Sequence, residues 1–383
     1  MDFPSCQYAN GVSSLQAKRS DVPARASRVC LLVNPSAGGG RARKHAPRVQ
    51  RRLTELGMTV TRRDTRDLDD ARRLARAAAT GGETVVVLSG DGMIGAAADV
   101  LREIPGAVLG VLPGGRGNDL ARVLEIPRDP IDACEAIAHG RIQAMDVGEV
   151  RGVHEHEHGP AHGRAFVGIA SVGFDSDANR IANRAPSWLG NLVYAYGAIR
   201  ALLSWRPARF EIELQPSGER RSLTGYTVGA CNSRTYGGGM RAAPDALLDD
   251  GLLDVVALER VGKLEFLTRL LPKVFSGTHV REPCVHVMRC SEVTIAADRP
   301  FAMYADGDPI GDLPVRVRVL PGAVRVLVPA DTTQAAFGSH EGAPARSMRT
   351  GTQAISAEQP APAAEPGRAD ATVAASLQAS RDS

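Results

Sequence analysis

Several common signatures are missing from these 383 residues. No Gly-Lys-Ser/Thr follows any glycine cluster, so there is no Walker A loop, and the first cluster lacks the Gly-x-Gly-x-x-Gly spacing of a dinucleotide fold. No run of about 18 apolar residues exists, which argues against a helical membrane span. Residues 1–26 carry no apolar h-region, so no secretory signal is expected there. The six cysteines, Cys6, Cys30, Cys134, Cys231, Cys284 and Cys290, form no Cys-x-x-Cys pair. Small buried thiols in a reduced, cytoplasmic protein are the expectation. Lysine is scarce beside arginine, and a formal net charge of +3 is too small to point to nucleic acid.

What is present is a repeated unit. The apolar run at 85–88 empties into Ser89-Gly90-Asp91-Gly92, and the run at 107–112 empties into Pro113-Gly114-Gly115-Arg116-Gly117-Asn118-Asp119. Helical spacing of apolar residues follows each loop. Upstream, Arg28–Val33 reads as a buried strand, and Asn34-Pro35-Ser36-Ala37-Gly38-Gly39-Gly40 reads as a turn before a helix at about 43–56. Such units place bare backbone N–H groups and helix N-termini at the carboxyl edge of a parallel sheet, a setting that receives phosphate oxygens. One loop is open to reading as turn chemistry alone. Three at the ends of successive strands make a phosphate site the expectation.

With 43% apolar and 23% charged residues, the chain is long enough for two cores. Residues 28–145 alternate strand and helix, with a further helix at 69–79, and predict a doubly wound α/β nucleotide-binding domain. After Asp146-Val147-Gly148 come short alternating runs at 165–171, 210–214, 226–230, 252–258, 293–296, 315–319 and 324–328. These predict a mostly antiparallel, β-sandwich-like domain over 146–329. Residues 1–27 and 330–383, poor in large apolar side chains, are expected to be disordered. A helix at 188–205 aligns Trp188, Leu192, Tyr196, Ile199 and Leu203 on one face. Packing within the β domain is the preferred reading for that face. Docking on an anionic bilayer through Arg180, Arg184, Arg200, Arg206 and Arg209 is the alternative. His154, His156, His158 and His162 read as a solvated hairpin loop, with a zinc or nickel site as the alternative.

Six motifs follow one another in a recognisable order. They are Asn34-Pro35 with Ala37-Gly38, the Gly90-Asp91-Gly92 loop, the 113–119 loop, Tyr236-Gly237-Gly238-Gly239-Met240 with Ala243-Pro244, Asp249-Asp250-Gly251-Leu252-Leu253-Asp254, and Asp306-Gly307-Asp308-Pro309. In this the chain resembles the soluble diacylglycerol kinase and related lipid kinase family over about residues 28–329. NAD kinases share the Gly-Asp-Gly loop, whereas the motifs around Asp250 and Asp308 favour the lipid kinase branch. The resemblance implies a nucleotide held between two domains, ATP and Mg²⁺ as cofactors, and phosphoryl transfer to a lipid hydroxyl, diacylglycerol first among acceptors. The expectation is a cytoplasmic protein peripheral to the membrane, touching its lipid transiently, with no nucleic-acid partner and with a homodimer as an open alternative. The alternatives are another alcohol (a sphingoid base, a polyketide-like lipid or NAD) or a catalytically weak nucleotide-binding regulator.

The same resemblance assigns residues. Asn34, Pro35, Ser36 and Gly38, then Ser89, Gly90, Asp91, Gly92, Met93 and Gly95, then Gly115, Arg116, Gly117, Asn118 and Asp119 would line the nucleotide, with Thr65 as an ATP contact. Hard oxygen ligands suit Mg²⁺, and Asp91, Asp119, Asp146 and Asp250 are loop or strand-end carboxylates. The family pattern implies one Mg²⁺ on Asp250 with the carbonyls of Leu247 and Leu252, linked through water to the other acids. Asp249-Asp250-Gly251 also reads as a plain turn, and the two readings are compatible. Asp308 matches the family's general base, where Glu is usual, so its reach is about 1.5 Å shorter. That matters for a proton transfer needing roughly 2.6–3.2 Å. Further departures are Ser89 for Gly, Met93 for Thr, Gly95-Ala96 for Asn-Glu, and Arg116 for Thr.

Overall fold

Five consecutive apolar residues, Val29 to Val33, have no solvent exposure, and a strand so buried needs cover on both faces. In the computed structural model of the chain they belong to β1 (Arg28–Val33). The structure describes residues 27–153, 163–174, 176–177, 181, 200–202, 205–333 and 336–338. The histidines at 154–162 and most of the 188–205 helix lie outside the described residues, as do residues 1–26 and those after 338.

The first half follows the repeated unit: α1 (Ala37–Glu55), β2 (Thr59–Asp64), α2 (Leu68–Thr80), β3 (Thr84–Ser89), α3 (Asp91–Leu101) and β4 (Val108–Pro113). The strands run parallel in the order β2-β1-β3-β4, with Cys30 opposite Val85 and Val85 opposite Leu109. The helix α1 buries Ala42, Ala46, Val49 and Leu53 at helical spacing, and α2 buries Ala71, Leu74, Ala75 and Ala78. Gly38, Gly39 and Gly40 have left-handed φ, so the regular part of α1 begins after them. β2, Thr-Val-Thr-Arg-Arg-Asp, escaped the sequence reading because it is a polar edge strand.

Beyond lie β5 (Arg141–Gly152), β6 (Arg164–Phe166), β7 (Ile169–Gly173), β8 (Ala208–Gln215), β9 (Arg220–Cys231), β10 (Leu253–Glu259), β11 (Val285–Cys290), β12 (Glu292–Ala297), β13 (Ala302–Ala305), β14 (Asp308–Asp312) and β15 (Val315–Val328). Pairing among these is antiparallel. Ala208, Phe210, Ile212 and Leu214 alternate inward along β8 and meet Phe166, Val293 and Val317 in a second core. The runs at 315–319 and 324–328 are one strand, its register broken between Leu320 and Val324. Past that break β15 pairs parallel with β4, Val326 opposite Leu109, so the two halves share one sheet. The chain stays packed past residue 329: Thr332 bonds the Leu124 carbonyl, and Phe337 is buried in the first core. No helix among the described residues is long and apolar enough to cross a membrane.

Candidate active site

β1, β3 and β4 end at one sheet edge, and their glycine loops touch backbone to backbone. Asn34 shapes the first: Ser36 N–H donates to Asn34 Oδ1 (3.0 Å) and Ala37 N–H to the Asn34 carbonyl (3.1 Å), with Pro35 between. A Cβ on Gly38 would stand 2.6 Å from the Gly114 carbonyl oxygen, and one on Gly115 would stand 2.4 Å from Gly90 Cα. Only glycine permits these approaches. Gly114 N–H donates to the Ser89 carbonyl (2.8 Å), and Ser89 is buried. Asn118, at φ +52°, accepts the Gly115 N–H at Oδ1 (2.8 Å) and closes the third loop, leaving Arg116 exposed at its tip. Arg41, which sequence reasoning missed, bonds the Gly38 carbonyl through Nε (3.2 Å) and the Gly115 carbonyl through its guanidinium (2.6 Å). Its only signal was a cation one residue beyond the glycine run.

Thr65 turns inward. Its hydroxyl donates to the Val33 carbonyl (3.2 Å) and lies 3.6 Å from Sδ of the buried Met93.

The carboxylates fall into pairs. Asp91 opens α3, and its Oδ1 accepts the Leu120 N–H (3.0 Å). Asp119 Oδ2 accepts the Gly238 N–H (2.8 Å), while its Oδ1 is buried with no hydrogen-bond partner. A Cβ on Gly117 would lie 2.9 Å from Asp119 Oδ2 and 3.2 Å from Asp91 Oδ2, so both acids close over that glycine. Burial pushes Asp119 up to about 6, and the charge of Asp91 adds to this against the N–H of Gly238. The second pair is Asp146 with Asp250. Both Asp146 oxygens accept backbone N–H groups, from Gly251 (2.7 Å) and Gly322 (2.7 Å), which orients the turn carrying Leu247, Asp250 and Leu252. Burial raises both of these acids, and each is near further negative charge. Among the described residues, no three His, Cys, Asp or Glu side chains converge on one metal-sized point. The buried Asp119 Oδ1, which has no hydrogen bond and only Arg122 at 4.0 Å, nevertheless suits a hard divalent cation beside Asp91.

A third group comes from β13 and β14. Asp306 and Gly307 both have positive φ, as a two-residue hairpin turn of the primed type demands. Asp306 is half-exposed as a residue, yet its carboxylate is enclosed, accepting the N–H groups of Val167 and Gly168 (2.9 Å each). That capture splits the run at 165–171 into β6 and β7. Burial pushes Asp306 up to about 7, the two N–H groups opposing and Asp91 and Asp308 adding. Asp308 packs on α3: a Cβ on Gly92 would be 2.4 Å from Asp308 Oδ2, and one on Gly95 would be 2.6 Å from Asp306 Oδ2. Burial raises Asp308, and Arg164 and Arg72 oppose it. Asp306, Asp308, Gly92, Gly95, Arg72 and Arg164 line a narrow cleft between α3 and the hairpin.

The structure therefore gathers the nucleotide loops with Asp91 and Asp119, sets Asp308 against the first turn of α3, and holds Asp146 with Asp250 as a separate pair. Sequence reasoning also missed Asn232. It is fully buried, and its Nδ2 donates to the Asp146 carbonyl (2.9 Å) and the Val167 carbonyl (3.0 Å), tying the last two groups together. Polar Asn232-Ser233 at the end of an apolar strand was the available signal.

Residues 28–150 match the diacylglycerol kinase catalytic domain, and residues 168–328 match the YegS C-terminal NAD kinase beta sandwich-like domain. A diacylglycerol kinase of Mycobacterium tuberculosis is 33% identical over 323 residues, covering 83% of this chain and 99% of the relative. A diacylglycerol kinase of Bacillus subtilis is 26% identical over 311 residues, covering 80% and 98%. The crystal structure of a diacylglycerol kinase from Bacillus anthracis is similar in fold, with a TM-score of 0.62 at 19% identity over 80% of this chain and 98% of that one.

Proposed function

Because this chain belongs to the diacylglycerol kinase and related lipid kinase family, we propose that it transfers the γ-phosphate of ATP to a lipid hydroxyl, converting diacylglycerol to phosphatidic acid. The observation that carries the reading is the seat of Asp308, its carboxylate laid on Gly92 next to the Asp91 loop.

Phosphoryl transfer needs little covalent chemistry from a protein and much positioning. The loops at 34–38, 89–95 and 113–119 offer backbone N–H groups and the N-terminus of α3 to the phosphates. Asp308 takes the proton of the acceptor hydroxyl as that oxygen bonds the γ-phosphorus and the bridging bond to ADP breaks. Arg164 and Arg72 favour its ionised form against burial, as a base requires. The missing methylene relative to Glu is offset by the fold: Asp306 ties the hairpin to Val167 and Gly168, and bare glycines at 92 and 95 admit it close to α3. Mg²⁺ would be held by Asp91 and Asp119, or by Asp250 with the Leu247 and Leu252 carbonyls, and would supply neutralisation of phosphate charge.

The test is transfer of labelled γ-phosphate from ATP to diacylglycerol in mixed micelles, with Mg²⁺ and with EDTA. Magnesium-dependent labelled phosphatidic acid is the expected result. ATP binding without labelled lipid would sink diacylglycerol as the acceptor.

A further inference from the structure

Only four large apolar side chains stand well exposed among the described residues, and three of them lie in one helical stretch: Leu264 (74%), Phe275 (56%) and Leu267 (39%). The stretch runs Lys263–Glu265, Phe266–Leu270 and Leu271–Ser276 end to end, its middle part a π-helical turn. Leu264, Leu267, Leu271 and Phe275 recur every three or four residues, which puts them on one side. Phe266 and Leu270 take the other side and are buried, Phe266 stacked on Tyr226 at 4.9 Å. The inner face explains why the helix folds here. It does not explain the outer one.

Charge indicates what the outer face meets. Between 260 and 282 the chain carries five cations, Arg260, Lys263, Arg269, Lys273 and Arg281, against two carboxylates, Glu265 and Glu282. Both carboxylates are already matched, Glu265 by Arg269 (2.8 Å) and Glu282 by Arg269 and Lys273, so the excess is positive. Two of the four lysines in the whole chain lie here. Exposed apolar side chains on a helix that carries Lys263, Arg269 and Lys273, with Arg260 and Arg281 just outside it, fit the headgroup layer of an anionic bilayer.

We propose that the outer face of residues 263–276 is the docking surface for an anionic membrane. The inference deepens the lipid-kinase reading and rests on it. The helix also touches the loop beside the site: Arg241 N–H donates to the Val274 carbonyl (2.9 Å), and the same 236–244 loop delivers the Gly238 N–H to Asp119.

The test is flotation of the full chain, without ATP, on vesicles of phosphatidylcholine alone and of phosphatidylcholine with phosphatidylglycerol. The wild type is expected to float with the anionic vesicles, and the double variant Leu264→Ser/Phe275→Ser to partition about tenfold less or weaker still. Lys263→Glu/Arg281→Glu should lose the preference for anionic lipid. Both variants should unfold at the wild-type temperature and still phosphorylate a dispersed short-chain diacylglycerol. Equal flotation of wild type and both variants overturns the proposal, as does a wild type that binds neither vesicle. A wild-type dimer that Leu264→Ser/Phe275→Ser dissolves, seen by light scattering, also overturns it and assigns the face to a second copy. Intact, variant-sensitive flotation with no turnover on any diacylglycerol supports the docking surface while removing the acceptor assignment.

Discussion

Glu149 and Asp306 are both acids enclosed by protein, and the chain treats them in opposite ways. Around Glu149, in β5, stand Arg318 (2.6 Å), Arg151 (3.1 Å) and Arg102 (3.6 Å), with the Gly163 N–H at 2.8 Å. Burial alone would raise this carboxyl, but Arg318 and the other guanidiniums outweigh it and hold it below the usual range. Around Asp306 there are two amide N–H groups and two like charges, and the carboxyl rises to about 7. Arginine is plentiful in this chain, so the difference is one of placement. Cations close the joint between β5 and β15, while Asp119 and Asp306 remain under-compensated and ready for a proton or a cation.

The comparison can be broken at either end. The largest effect is expected from Asp308→Asn, which should lower turnover about 10²–10⁴-fold if this carboxylate is the base. ATP binding by calorimetry should be unchanged, and surviving turnover would remove the role. Glu149→Ala should instead act on the fold, lowering the unfolding free energy in urea by about 3–5 kcal/mol because three arginines lose a buried partner. A melt equal to the wild type would mean that the arginine cage is not structural. Gly92→Ala tests the contact between loop and base. Its methyl must displace Asp308 Oδ2, and a shift of about 1 Å should cost up to roughly a hundredfold in turnover with the fold retained.

Legibility in the sequence followed the same divide. The buried parallel strands and the three glycine loops were readable because a two-sided apolar run and a close backbone approach each demand particular residue types at consecutive positions. The polar edge strand β2 and the short β13–β14 hairpin lacked such a demand and were missed. Contacts that join distant segments were also invisible: Arg41 to Gly115, Asn232 to Asp146, and Asp306 to Val167. The run at 165–171 reads as one strand, and its division depends on an acceptor 139 residues away. The loops announce a phosphate site locally, whereas the base, its glycine seat and its supporting turn meet only in the folded chain.

The effect that is smallest at any one pH step carries the sharpest sign. Free Asp titrates near about 4, and folded Asp306 near about 7. Between these values the folded protein keeps a proton that the unfolded chain has released, so this group makes stability fall as pH rises, and its contribution is gone above the folded value. Glu149 works in the other direction. Its lowered folded pKa gives stability that is present above the unfolded value and is lost as pH falls through the folded one. Asp306→Asn should therefore remove a negative slope of at most about 1.4 kcal/mol per pH unit from urea unfolding between about pH 4 and 7. The amide keeps one acceptor for two N–H donors, so absolute stability will shift as well, and the slope is the quantity to compare. Glu149→Gln should remove a slope of opposite sign at lower pH. If wild type and Asp306→Asn run parallel across the window, Asp306 is already ionised in the fold, and its contrast with Glu149 reduces to which donors surround each acid.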